Sequence, residues 1–60
     1  MNDIKIGQTW RLKYTELEVT IVEIGSTGKT VMFAWEHAGR LCRALGSYAV
    51  WQQHFEYVRD

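Results

Sequence analysis

Val19-Thr20-Ile21-Val22-Glu23-Ile24, then Gly25-Ser26-Thr27-Gly28-Lys29, then Thr30-Val31-Met32-Phe33-Ala34-Trp35 is the stretch whose reading decides the fold. Two runs of β-branched and aromatic residues flank a polar segment bounded by glycine, the pattern of a β-hairpin. Its two strands are expected to form the spine of a small, strongly twisted β-domain. On the second strand Val31, Phe33 and Trp35 face one way, and Met32, Ala34 and Glu36 the other. The first strand alternates less cleanly. Strict period two puts Val19 and Ile21 with Glu23, and Thr20 and Val22 with Ile24. Apolar residues on both faces suit a strand that bends across two halves of a barrel.

Upstream, Trp10, Leu12 and Tyr14 alternate with Arg11 and Lys13, which predicts a half-buried strand. Gly7 permits a turn before it, and residues 1–6 read as a frayed lead-in with Ile4 and Ile6 on one side. The segment Thr15-Glu16-Leu17-Glu18 connects to the hairpin without glycine or proline. Downstream, His37-Ala38-Gly39 reads as a tight turn into a strand over Arg40–Leu45, which Gly46 is expected to break. Leu41 and Leu45 flank Arg43 on one face of that strand, and Cys42 lies on the other with Arg40 and Ala44. Ser47 suits an N-cap for a short helix over Tyr48 to about His54. Tyr48, Trp51 and Phe55 share one side of it, so this aromatic side must plug an open end of the sheet. Glu56-Tyr57-Val58 supplies a last short strand.

The order predicts one mainly β domain spanning residues 1–60, an SH3-like small barrel of about five strands with one short C-terminal helix. A sheet with the helix packed across one face is the competing architecture. Sixty residues make a thin core, with total stability of about 3–9 kcal/mol. Cys42 is the only cysteine, so no disulfide forms within the chain. With no hydrophobic leader after Met1, that points to a cytoplasmic setting and no membrane.

Several features together resemble a family of short uncharacterised proteins encoded in enterobacterial phages and prophages. They are Trp10-Arg11, Val19-Thr20-Ile21, Val31-Met32-Phe33, the Cys42 strand, and Trp51 with Phe55 and Val58. The resemblance runs from Gly7 onward and rests mainly on apolar spacing. The family pattern has a glycine turn after the first strand, absent from Lys13-Tyr14-Thr15-Glu16, and phenylalanine where Trp51 stands. The resemblance implies a phage or prophage setting in a bacterial cytoplasm, and no particular chemistry.

Chemical motifs are sparse. Gly25-Ser26-Thr27-Gly28-Lys29-Thr30 ends like a phosphate loop, but only two residues separate its glycines and a strand follows, not a helix. His37, Cys42 and His54 are too few and too scattered for a structural zinc site or a cysteine nucleophile with its base. No catalytic, metal or cofactor residue is therefore assigned, and an enzyme is not expected. Trp10, Trp35 and Tyr57 are the aromatic residues expected to offer a partner-binding surface to a host or phage protein. The alternative is a small DNA- or RNA-binding regulator using Arg11, Lys13, Arg40 and Arg43, if the first and fourth strands lie close. Seven basic residues against seven acidic ones disfavour that alternative. An exposed terminal strand on so thin a core also makes a homodimer an expectation.

Overall fold

The computed structural model describes residues 4–60. Five strands and one helix follow in the order β1 (Thr9–Leu12), β2 (Glu18–Ile24), β3 (Thr30–His37), β4 (Arg40–Ser47), α1 (Tyr48–His54) and β5 (Phe55–Arg59). All pairings are antiparallel, in a single sheet ordered β4-β3-β2-β1-β5. The chain thus runs as a meander from β1 to β4, and α1 carries it back so that β5 lies against β1. This is the strand order of an SH3-like small barrel, with the helix packed between the two edge strands.

The hairpin predicted over Val19–Trp35 is present, and its loop explains both glycines. The Gly25 N–H donates to the Thr30 carbonyl at 2.9 Å and the Gly28 N–H to the Gly25 carbonyl at 2.8 Å. Gly28 takes a φ of +73°, and a Cβ on Gly25 would collide with the Thr30 hydroxyl. The loop delivers Thr30 into a strand, so Gly28-Lys29-Thr30 is turn chemistry. The loose alternation of β2 also has a definite cause. Ile21 pairs with Phe33 but Glu23 with Met32, so Val22 is an extra residue in a β-bulge. The slip returns Ile24 to the face of Val19 and Ile21 and sends Glu23 to the opposite one, unlike the strict alternation.

The core lies on one face. Trp10, Val19, Ile21, Val31 and Trp51 are buried there, with Phe33, Trp35, Tyr48, Phe55 and Tyr57 packed around them. Trp51 is the plug that the helical spacing predicted. Its ring lies 4.7 Å from Trp10, 4.7 Å from Phe55 and 5.7 Å from Phe33. Its Nε1 finds no hydrogen-bond partner among the described residues.

Three local expectations need correction. First, β1 stops at Leu12 and Tyr14 does not join its buried face. The Thr15 N–H and hydroxyl both bond the Leu12 carbonyl, at 3.2 and 2.8 Å. Tyr14 takes a φ of +67° in that turn and stands fully exposed. Tyrosine thus occupies a left-handed position that glycine or asparagine adopts more readily. Second, Gly46 does not break β4, which continues through it to Ser47. Ser47 does precede α1, but its side chain makes no capping bond. Third, Ile4 packs on the core whereas Ile6 is exposed, because Lys5–Gln8 forms a turn with Gly7 at a φ of +96°. The first three residues of the lead-in lie outside the described residues.

The chain ends are tied together by polar groups. Buried Gln8 accepts from the Trp10 Nε1 at 3.1 Å, and its amide donates to Asp60 at 3.3 Å. Tyr57 donates its hydroxyl to the same carboxylate at 2.6 Å. That hydrogen bond holds the Asp60 carboxyl below its ordinary range and raises the Tyr57 phenol.

Candidate functional site

The face of the sheet opposite the core carries a shallow groove of about 440 Å³. Strand register explains it. Thr9 pairs with Arg59 on one side and Thr20 on the other, Thr20 pairs with Ala34, and Ala34 with Arg43. Paired residues share a face, so one row crosses all five strands with small residues in the middle and arginines at both ends. Threonine and alanine leave the floor low. Glu18, Glu36, Leu41 and Arg59 rise around it, and Val22 and Trp35 complete the lining. Bulges at Val22 in β2 and at Val58 in β5 bend the sheet here.

Charge is unevenly satisfied over this face. Arg59 reaches Glu18 at 3.5 Å, and Arg11 donates through two of its nitrogens to Glu56, the Nε at 2.9 Å. At the other end, Arg40 and Arg43 have no carboxylate partner among the described residues. The four cations Arg11, Lys13, Arg40 and Arg43 do not gather. β2 and β3 lie between β1 and β4, a separation of roughly 14 Å at the usual strand spacing. Arg40 and Arg43 also fall on opposite faces of β4, since Arg40 pairs with His37 and Arg43 with Ala34.

The expected aromatic surface of Trp10, Trp35 and Tyr57 is likewise divided. Trp10 is only 6% exposed and belongs to the core, so its role is packing. Tyr57 is half-buried with its edge toward Trp10, ring centres 5.8 Å apart. Trp35 is half-buried with its ring on the core side, stacked on Phe33 at 5.8 Å, and of the three it alone borders the groove, between the groove-facing Ala34 and Glu36. Cys42 is half-buried with its Sγ 4.0 Å from the Arg40 carbonyl oxygen. Among the described residues no three His, Cys, Asp or Glu side chains come together as a metal site.

The features that reading the sequence missed are on β4. Leu41 is 70% exposed and Leu45 66%, both on the groove face, with Leu45 paired to half-buried Met32. The signal was present in the neighbours. Phe33 and Trp35 fill the core face of β3, so the β4 residues beside them there must be small, and they are Ala44 and Cys42. That arrangement forces the large Leu41 and Leu45 outward. Comparison of the chain with protein-family models, with curated proteins and with solved structures gives no match.

Proposed function

We propose that this chain is a non-enzymatic interaction module that binds a protein, of the host or of a phage, through the β4 end of the groove face. The carrying observation is the pair Leu41 and Leu45, two large apolar side chains left two-thirds exposed on the last strand of a sheet. A thin core gains by burying every leucine it has. Leu41 borders the groove and Leu45 pairs with half-buried Met32, so both leucines stand on one face of one edge strand with Arg43 between them, where a partner could cover them together. The phage setting comes from the sequence resemblance alone. Against the nucleic-acid alternative stand the dispersal of the four cations and the ion pair that occupies Arg11.

The deciding experiment is a pull-down from bacterial lysate, with and without nuclease, comparing the native chain with Leu41→Lys/Leu45→Lys. Capture that survives nuclease and disappears with the double substitution supports protein binding at β4. Capture abolished by nuclease, or binding of labelled oligonucleotides at low salt that weakens with added salt, supports the regulator instead.

A further inference from the structure

We infer that β4 accepts a sixth strand, an extended segment of the partner in which an acidic residue lies between two apolar ones at alternate positions. This rests on the protein-binding reading above and names the partner's chemistry.

The backbone of β4 supplies the first half of the argument. The β3–β4 turn is a two-residue loop, with Ala38 at a φ of +53° and Gly39 at +78°, the signs of a type I′ turn. Such a turn closes on a hydrogen-bonded pair, here His37 with Arg40, and every second pair after it is bonded likewise. The far end of the ladder agrees, because the Tyr48 N–H donates to the Lys29 carbonyl at 2.8 Å. Arg40, Cys42, Ala44 and Gly46 therefore spend their backbone groups on β3. Those of Leu41, Arg43 and Leu45 point away, and none has a backbone partner outside the β3–β4 ladder among the described residues. This edge is regular over eight residues, with no bulge in its pairing to β3. Unpaired groups on such an edge are a template for another strand.

The side chains supply the second half. The same three outward positions carry Leu41, Arg43 and Leu45 on the groove face, an apolar–cation–apolar row. Arg43 lacks a carboxylate among the described residues. A strand laid beside this row is best matched by apolar, acidic and apolar residues on the same face. A second copy matches it poorly. The symmetric register that sets Leu41 against Leu45 of the other copy also sets Arg43 against Arg43, and like charges directly opposite destabilise a pair. Sliding by one hydrogen-bonded step puts arginine against leucine instead. The other open edge, β5, carries Glu56 as its carboxylate, and Arg11 already holds it.

The probe is a capped seven-residue peptide of threonine with valine, glutamate and valine at its second, fourth and sixth places. Binding is followed by amide hydrogen exchange and calorimetry on the full chain. Saturating peptide should slow exchange at Leu41, Arg43 and Leu45 by at least about tenfold, with little change at Cys42 and Ala44, which already bond β3. A lysine at the peptide's centre should weaken binding about tenfold, and Arg43→Glu should reverse that preference. N-methylation at the peptide's central amides should abolish binding. Equal affinity for the glutamate and lysine peptides overturns the inference. So does concentration-dependent protection of Leu41, Arg43 and Leu45 in the free protein, which assigns the edge to a second copy. If no peptide binds while nuclease-resistant, Leu41-dependent capture persists, the strand-addition inference fails and the interaction reading survives. Oligonucleotide binding overturns both.

Discussion

The two edges of the sheet are built in opposite ways. β5 is five residues long, bulged at Val58, and bordered by ion pairs from Arg11 to Glu56 and from Arg59 to Glu18. Its Tyr57 packs on Trp10 and ties its hydroxyl to Asp60. β4 is eight residues long, evenly paired to β3, and presents two exposed leucines around an arginine without an ion-pair partner among the described residues. Short length, bulges and charge are the usual means by which a protein discourages pairing at an edge. One edge of this molecule uses all three, and the other has only its arginines. The contrast leaves β4, and not β5, as the edge open to pairing.

The contrast can be broken most severely at the plug that holds both edges to one core. Trp51→Ala should cost roughly 3–5 kcal/mol, comparable to the stability of the whole domain, and chemical denaturation should show loss of the cooperative transition. Trp51→Phe should be far milder, at about 1 kcal/mol, because it also removes a buried N–H that finds no partner among the described residues. A protein that melts normally with alanine at this position would place Trp51 outside the core.

Next in size is the turn that presents β4. Alanine is poorly suited to the left-handed conformation at residue 38, so Ala38→Asn should stabilise by about 1 kcal/mol, read as a raised denaturation midpoint. A third test sets one edge against the other. Glu56→Gln should lose roughly 0.2–1 kcal/mol with its ion pair to Arg11. Leu41→Lys should change stability by less than about 0.5 kcal/mol, since its side chain already stands in water. A larger loss from Leu41→Lys than from Trp51→Phe would mean that Leu41 serves the fold.

The smallest effect is pH-dependent and confined to the β5 side. Asp60 is held below its ordinary value by the Tyr57 hydroxyl, so its contribution is present above about pH 4 and fades as pH falls through the folded value. Tyr57 is raised by the same bond, so its contribution is present below about pH 10 and fades as pH rises further. Asp60→Asn should flatten the acid limb of a stability–pH profile, while substitutions at Leu41 or Leu45 should leave its shape unchanged.

Much of this molecule was legible in its sequence because local pattern and tertiary structure agree. The hairpin, the helix over Tyr48–His54 and the plugging role of Trp51 each follow from spacing and turn residues. The misreadings arise where one residue departs from its type. Val22 shifts phase by bulging, which periodicity cannot register. Tyr14 adopts a glycine-like φ, so an apparent strand residue became a turn. Gly46 sits inside β4 at the position paired with fully buried Val31, where an added Cβ would make only ordinary contact with the Phe33 ring, so the strand runs through it as through any small residue. Trp10 was expected at a surface because tryptophan suits interfaces, yet Gln8 satisfies its N–H inside the core. The groove and the bare edge depend on which strands are neighbours, and only the order β4-β3-β2-β1-β5 supplies that.

The return of β5 to β1 has a consequence for how the chain acquires its shape. β2, β3 and β4 pair with neighbours joined by short turns, so that meander closes early and through local contacts. β1 lies beside β2 on one side, but its other side waits for the last strand of the sequence order. Until α1 and β5 dock on β1, Trp10 has neither Trp51 nor Tyr57 to cover it. A folding chain therefore leaves Trp10 uncovered until that late, non-local docking, and its vulnerability to aggregation is concentrated in that interval.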